Sequence, residues 1–290
     1  MKGYYKVSEK TDSVVGTDKK VTFPIIDCHC HVYPDKIADK AVESIRNFYS
    51  IDMGYDGRAS TLVEQGSING IKHYVVFSVA TTPKQVRSIN DFIADTVKNS
   101  KGLMTGLGSL HPDSENIEDD YRHLKSLGLK GVKLHPDFQK IAVDDSRLEK
   151  IYELCSGDLP ILLHTGDSRY DYSNPDRVIQ VLEKYPCLTV VGAHFGGWSV
   201  WDEAVNKLAS YSNFYVDCSS SLYSLSPEKG RELVRAYGAD RVLFGTDHPM
   251  WLYEDEIQRF DRLELSDEEK EKILYKNAVD IFGIDEKLFF

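Results

Sequence analysis

The amino-acid sequence predicts an α/β protein of the (β/α)8 TIM-barrel class. Eight short apolar runs recur along the chain, and amphipathic, charged segments with helical spacing lie between them. The runs are nearly continuous in Val, Ile and Leu, which is typical of parallel strands covered on both faces. Parallel strands need crossover helices, and eight such units close a sheet into a barrel of roughly 250 residues. The 290 residues, 41% of them hydrophobic, suffice for one such domain.

The predicted strands and helices alternate in chain order. The predicted strands are 21–31, 73–79, 104–111, 131–135, 160–165, 188–193, 214–218 and 242–246. The predicted helices are 35–48, 84–98, 116–127, 145–154, 175–185, 201–209 and 227–237, with a last long helix after Leu265. Pro175 and Pro227 fit the first turns of their helices, and Ser266 with Glu269 fits a capping box.

The chain divides into a polar N-terminal arm, residues 1–20, and a single barrel domain, residues 21–290. The connection 32–70 is unusually long. A long loop at the carboxyl end of a barrel strand is a candidate lid over a site. The tyrosines of this connection that could reach a substrate are Tyr33, Tyr49 and Tyr55.

Composition narrows the classes of partner. A net charge of −11 argues against nucleic acid and anionic membranes, because both require a basic face. The five cysteines are scattered without a CxxC pair, which fits neither a disulfide framework nor a zinc finger. No apolar run approaches the roughly 18 residues of a membrane span, and the first residues lack an apolar signal-peptide region. We therefore expect a soluble, cytoplasmic protein that acts on a small molecule, and we leave a homo-oligomer open.

Titratable residues recur at the ends of the predicted strands, where a barrel places its active site. His29 and His31 are two residues apart on the first strand, so they share a face and can bind one metal ion. The other strand-end residues of this kind are His135, His164, His194 and Asp247. Three imidazoles and a carboxylate around an open position describe a catalytic metal site. Nitrogen and oxygen donors without thiolate suit Zn²⁺, Mn²⁺ or Fe²⁺.

These strand ends resemble the amidohydrolase superfamily, in particular its amidohydrolase-related branch, which contains aminocarboxymuconate-semialdehyde decarboxylase. The matching segments are Asp27-Cys28-His29-Cys30-His31, Gly131-Val132-Lys133-Leu134-His135-Pro136, Leu163-His164-Thr165-Gly166, Gly192-Ala193-His194-Phe195-Gly196-Gly197 and Arg241-Val242-Leu243-Phe244-Gly245-Thr246-Asp247-His248-Pro249. The resemblance implies one divalent metal ion, for which we expect Zn²⁺ before Mn²⁺ or Fe²⁺. It also implies the ion's ligands, which are His29, His31, His164 and Asp247, and it makes His194 the acid/base residue.

The fourth predicted strand carries candidate substrate-binding residues. Lys133 and His135 share a face of this strand, and Arg169 follows the next strand, so the three could hold a substrate carboxylate. The alternative for Lys133 and Arg169 is a structural ion pair. The position of Lys133 also resembles that of the carboxylated lysine that bridges two metals in other amidohydrolases, whereas the decarboxylase-like branch tends to use one metal.

Three functional hypotheses follow. A bound ion lowers the pKa of water from 15.7 toward about 7 and polarises a substrate oxygen, while His194 can take and return a proton. Asp247 can both ligate the ion and accept a hydrogen bond from the water. The leading hypothesis is a metal-dependent hydrolase of a small carboxylated or cyclic substrate. The alternative is a non-oxidative decarboxylase. A third, a barrel that binds without catalysis, is disfavoured because the set of strand-end residues is complete.

Overall fold

The computed structural model describes residues 23–289. The predicted arm, residues 1–20, lies outside this part, as do the first two residues of the first predicted strand. The strands are β1 (Ile25–His31), β2 (Ile71–Phe77), β3 (Met104–Gly106), β4 (Gly108–Ser109), β5 (Val132–Leu134), β6 (Ile161–Leu163), β7 (Val190–Gly192), β8 (Phe214–Asp217) and β9 (Val242–Leu243). All but β2 lie inside a predicted run; β2 begins two residues before its run, at Ile71, and β3 and β4 share the run 104–111. The strand predictions are therefore confirmed in position, and most of the strands are shorter than predicted.

Helices follow most strands. They are α1 (Asp35–Tyr49), α2 (Ala59–Ile68), α3 (Val86–Asn99), α4 (Ile117–Ser126), α5 (Pro136–Gln139), α6 (Glu149–Cys155), α7 (Pro175–Lys184), α8 (Trp201–Leu208), α9 (Pro227–Tyr237), α10 (Tyr253–Asp261), α11 (Asp267–Glu271) and α12 (Asn277–Phe282), with a π-helical turn at Lys272–Lys276. Within residues 23–289, none of the helices combines the length and the hydropathy that a membrane-spanning segment requires.

Three helices were not predicted, and their burial explains why. The α2 helix buries only Leu62 and Gly66, so it lacks the apolar stripe by which helices are read from sequence. In α10 the buried face includes Glu256, which interrupts the apolar pattern. The α5 helix has four residues, too few for any period. The predicted last helix is interrupted by the π-helical turn at Lys272–Lys276, although its capping box of Ser266 and Glu269 is present.

All strand pairs are parallel, in the order β1-β2-β3 and then β4-β5-β6-β7-β8-β9. The two groups meet at Leu107, whose backbone N donates to Val76 O at 2.9 Å. At the other end, the backbone N of Cys28 donates to Phe244 O at 2.9 Å and that of His31 to His248 O at 2.8 Å. These bonds bring the last strand against the first, which is the arrangement of a (β/α)8 barrel.

A buried carboxylate reinforces the contact between the first and last strands. Asp27 accepts hydrogen bonds from the backbone N of Thr246 at 2.9 Å, from Thr246 Oγ1 at 2.6 Å and from Tyr253 Oη at 3.0 Å. Burial raises the pKa of Asp27, and the Thr246 hydroxyl opposes that shift. Because its partners lie on residues that follow β9, Asp27 ties the two ends of the sheet together.

The strand side chains divide between two cores. One core, inside the sheet, contains Ile26, Cys28 and Leu107 and packs on the C-terminal helix through Phe282. The other packs strand residues such as Cys30 against the surrounding helices. Simple alternation predicts both thiols on the helix side. Instead, Cys28 lies inside, because the β1 register is irregular between Asp27 and Cys30.

Candidate active site

Three donors converge at the carboxyl end of the first strand. His29 Nε2 lies 3.3 Å from His31 Nε2 and 3.3 Å from Asp247 Oδ1, and His31 Nε2 lies 3.5 Å from the same oxygen. Two ligands that each lie about 2.1 Å from a tetrahedral ion are about 3.4 Å apart. The three atoms therefore have the spacing of one face of a metal coordination tetrahedron. We call this set, His29, His31 and Asp247, the donor triangle.

The three donors are buried, and burial disfavours the charged form of each of them. Burial, with the nearby Lys133 charge, lowers the pKa of both His29 and His31 well below the ordinary value, so the imidazoles are neutral. Burial raises the pKa of Asp247 to about 7, and a hydrogen bond from Ser220 opposes that rise. Ser220 Oγ donates to Asp247 Oδ2 at 2.5 Å, which leaves Oδ1 directed to the two histidines. Nitrogen and oxygen donors of this kind fit Zn²⁺, Mn²⁺ or Fe²⁺.

His164 and His194 lie together beside the donor triangle. His164 Nδ1 is 3.1 Å from His194 Nε2, and the rings of His194 and His29 stack at 5.1 Å. The other nitrogen of His164 faces Asp137, with Nε2 3.2 Å from Oδ2. His164 thus lies in the same site as the donor triangle but outside its set of close contacts.

His135, Asp137 and His164 form a second group of potential metal donors. The His135 and His164 rings, however, stack at 4.0 Å with only 7° between their planes. Nitrogen lone pairs lie in the ring plane, so two parallel rings do not aim them at one point. Burial raises the pKa of Asp137 to about 7. Among the described residues, neither the Asp137 carboxylate oxygens nor His164 Nε2 has a hydrogen-bond partner, so the two groups are close without being hydrogen-bonded.

The site opens into a small cavity of about 20 Å³, which is room for about one water molecule. Its lining residues are His31, Ile45, Tyr49, His135, Phe138, His164, His194, Asp247, Pro249 and Met250. Tyr49 Oη lies 3.1 Å from His135 Nε2 and ends the α1 helix over the cavity. The predicted lid segment 32–70 therefore contributes Tyr49 and Ile45. Tyr55 instead stacks on His248, and Tyr33 lines a separate cleft.

The candidate substrate-binding residues are placed differently from one another. His135 lines the cavity, whereas Lys133 is fully buried and does not line it, with Nζ 3.5 Å from His29 Nε2 and 5.0 Å from the centre of the Phe77 ring. Burial lowers the pKa of Lys133 to about 8. Of these two candidate residues, His135 is the one that lines the cavity, and the joint binding of a substrate carboxylate by Lys133 and His135 stays a prediction.

Arg169 is held by the protein itself. Its Nη2 lies 2.6 Å from Asp167 Oδ2, and its Nη1 donates to the backbone oxygen of Phe48 at 2.8 Å. The guanidinium also lies 5.2 Å from the centre of the Tyr49 ring and 5.3 Å from that of Trp198. These contacts agree with the structural ion pair that was the alternative role of Arg169. They also connect the end of α1 to the loop that follows β6.

Two acidic residues of the site were missed by sequence reasoning. Asp217, the last residue of β8, accepts a hydrogen bond from His29 Nδ1 at 2.8 Å. Asp137 lies in the His-Pro-Asp triplet that follows β5 and recurs at 111–113. The available signals were therefore a strand-end aspartate and a short repeat, neither of which identifies a histidine partner elsewhere in the chain.

Comparisons with known proteins agree with the fold. The family model described as Amidohydrolase matches residues 26–284. An uncharacterised TIM-barrel protein from Bordetella bronchiseptica is 23% identical, over 90% of this chain and 99% of that chain, with a TM-score of 0.76. A dihydroxybenzoic acid decarboxylase from Polaromonas sp. JS666, solved with bound manganese and 2-nitroresorcinol, is 18% identical over 93% and 100%, with a TM-score of 0.69. A protein from Pseudomonas putida, provisionally described as a 2-pyrone-4,6-dicarboxylic acid hydrolase, is 20% identical over 91% and 98%, with a TM-score of 0.65.

Proposed function

The chain belongs to the amidohydrolase family, and on that premise we propose that it is a metal-dependent hydrolase of a small carboxylated or cyclic substrate. The observation that carries the proposal is the donor triangle of His29, His31 and Asp247 beside His194 in one cavity. We assign one divalent ion to this triangle. His164, which lies beside the triangle in the same site, is the proposed fourth ligand and would turn a ring nitrogen toward the ion on binding. Zn²⁺ is the first candidate, and Mn²⁺ is tested beside it because the Polaromonas decarboxylase contains manganese.

The ion would supply Lewis acidity and an acidified water. His194 handles the proton in this proposal. Its Nδ1 donates to the backbone oxygen of Ser219 at 3.0 Å, so Nε2 carries the lone pair that faces the site. Burial lowers the pKa of His194 to about 3, so the ring is neutral near pH 7. In this proposal its Nε2 takes a proton from the attacking water during the reaction. The proton held there is then available to the leaving group.

One wall of the cavity is a stack of three rings, against which a flat substrate would pack once the cavity opens. The rings of Phe138, His135 and His164 are stacked nearly parallel, with centroid separations of 3.8 Å and 4.0 Å. Tyr49 lies against the same rings, with its hydroxyl 3.1 Å from His135 Nε2 and its ring centre 6.1 Å from that of Phe138. Since Lys133 does not line the cavity, we assign recognition of a substrate carboxylate to His135, Tyr49 and the ion, and the buried Lys133 contributes its charge without direct contact.

The same flat wall supports a second candidate function, non-oxidative decarboxylation of an aromatic acid. In that reaction a proton replaces the carboxyl group, and His194 Nε2 would deliver it. The related dihydroxybenzoic acid decarboxylase acts on a planar acid of this shape. The two reactions use the same residues and differ in their products.

Product analysis separates the two reactions. Protein reconstituted with Zn²⁺ or Mn²⁺ is incubated with 2-pyrone-4,6-dicarboxylate, other lactones and dihydroxybenzoates in ¹⁸O-enriched water, and the products are read by mass spectrometry. Hydrolysis places one ¹⁸O in the product, whereas decarboxylation releases CO₂ and lowers the product mass. A protein that binds neither metal and converts none of these compounds would contradict both and favour a binding barrel. Asp144→Asn, a surface change at an aspartate that pairs with Arg177, is the matched control.

A further inference from the structure

Asp217 occupies a position that links the donor triangle to His194. It is the last residue of β8, and it is fully buried. One carboxylate oxygen, Oδ2, lies 2.8 Å from His29 Nδ1. The other, Oδ1, accepts hydrogen bonds from the backbone N of Ser219 at 3.0 Å and from that of His194 at 3.2 Å. A single side chain therefore contacts a proposed ligand and the backbone of the proposed acid/base residue.

We propose that Asp217 is a positioning residue that fixes the tautomers of His29 and, together with Ser219, of His194. The inference rests on the ligand and proton-transfer roles given under the proposed function. A carboxylate accepts hydrogen bonds and does not donate them, so His29 must carry its proton on Nδ1. That leaves the lone pair on Nε2, the atom that lies 3.3 Å from both His31 Nε2 and Asp247 Oδ1. Asp217 thereby makes His29 ready to bind an ion.

Ser219 extends the same control to His194. The carbonyl oxygen of Ser219 lies 3.0 Å from His194 Nδ1, and a carbonyl can only accept. The Ser219 hydroxyl donates to Asp217 Oδ1 and lies within 3.2 Å of Nδ1 on both histidines. His194 is therefore also protonated on Nδ1, and its Nε2 faces His164 Nδ1 at 3.1 Å.

Asp217 also holds the turn that carries His194. His194 and Phe195 have φ of 61° and 52°, in the left-handed region that side chains other than glycine rarely adopt. The backbone N of His194 donates to Asp217 Oδ1, and the backbone N of Phe195 donates to Asp217 O at 2.7 Å. His31, the other histidine of β1, is not oriented in this way, because among the described residues its Nδ1 has no hydrogen-bond partner. Asp217 therefore orients the ring of His29 but not that of His31.

The first test uses the wild-type protein without added metal or substrate. Histidine is labelled with ¹⁵N, and long-range ¹H–¹⁵N spectra report which ring nitrogen carries the proton. The His29 signals are assigned by their loss in His29→Gln, and the His194 signals by their loss in His194→Gln. We expect both residues as Nδ1–H tautomers. Finding His29 as the Nε2–H tautomer would overturn the inference, whatever the reaction of the enzyme is.

The second test uses Asp217→Asn, which keeps the size of the side chain. The amide oxygen can replace Oδ1, but the amide NH₂ then faces His29 Nδ1 and favours the Nε2–H tautomer, which cannot bind a metal through Nε2. We expect a 10–100-fold weaker Zn²⁺ affinity, measured by chelator competition, together with the tautomer change. Glu256→Gln is the matched control, because Glu256 is equally buried and its partner is Arg259. Unchanged affinity and tautomer in a folded Asp217→Asn protein would contradict the inference, as would an equal loss in the control.

Discussion

The donor triangle makes a quantitative prediction about metal-dependent stability. An ion that binds only the folded protein stabilises it by about 2.7 kcal/mol when the free metal is 100 times its Kd. A ΔΔG of 1 kcal/mol shifts Tm by about 2–4 °C in a domain of 150–250 residues. The wild-type Tm should therefore rise by about 5–10 °C in Zn²⁺ or Mn²⁺ at that concentration.

Removing one donor should abolish most of this shift. The three triangle distances are 3.3, 3.3 and 3.5 Å, so each atom is one corner of the set and none is redundant. If His29→Ala or Asp247→Ala weakens binding 100-fold, the same metal concentration equals the new Kd and the stabilisation falls to about 0.4 kcal/mol. The expected Tm shift is then about 1 °C. His164→Ala should lose the shift as well if His164 is the fourth ligand.

His194→Ala should behave differently, because His194 lies beside the triangle and its role is proton transfer. We expect the metal-induced Tm shift to be kept while kcat falls by about 10²–10⁴. The assay is differential scanning fluorimetry with and without metal, with metal content per chain measured in parallel. A shift that is lost equally in His194→Ala would make His194 a ligand and refute the division of roles. A shift that survives in Asp247→Ala would refute the triangle itself.

Three further predictions concern groups around the site. Burial raises the pKa of Glu256 from 4.5 to about 7, so between these pH values the folded state holds a proton that the unfolded state releases, and stability falls as the pH rises. The free energy of unfolding of Glu256→Gln, measured with urea, should exceed that of the wild type by about 3 kcal/mol at pH 8 and equal it near pH 4. Metal analysis should give about one ion per chain, and a content of two that falls in Lys133→Ala would instead indicate a lysine-bridged pair. Tyr49→Ala should leave the far-ultraviolet circular dichroism unchanged and alter the relative kcat/KM of different substrates, because Tyr49 lines a cavity of about 20 Å³ that must open to admit a ring. An unaltered substrate preference would contradict a role for Tyr49 in specificity.

The sequence was sufficient for the features that depend on local spacing. His29 and His31 share a strand face, so their convergence follows from a two-residue period. Asp247 follows an apolar run, and the carboxyl ends of barrel strands meet at one rim. These rules predict which residues reach the site. They do not predict ring orientation, which for His164 depends on stacking against His135 and on contact with Asp137.

Other parts required the three-dimensional packing. Asp217 and His29 are 188 positions apart, and nothing in either neighbourhood marks them as partners. The full burial of Lys133 depends on its packing over the ring of Phe77, which belongs to a different strand. Helices α2 and α10 were missed because their buried faces contain Gly66 and Glu256, which do not read as apolar. These features could not be predicted because they depend on contacts between residues distant in the chain, or on buried positions of a helix that are not occupied by apolar residues.

The junction between the first and last strands sets the order in which the protein can be completed. Asp27 and Thr246 are 219 positions apart, and their hydrogen bonds tie β1 to the segment after β9. At a synthesis rate of about 5–20 residues per second, the first strand waits on the order of 10–45 s before its last neighbour has been made. During that interval β1 presents an unpaired edge, and His29 and His31 exist without Asp247. Binding of a metal ion by all three donors would therefore require that the barrel has closed. Metal binding by ribosome-bound chains of increasing length would then show the chain length at which closure occurs.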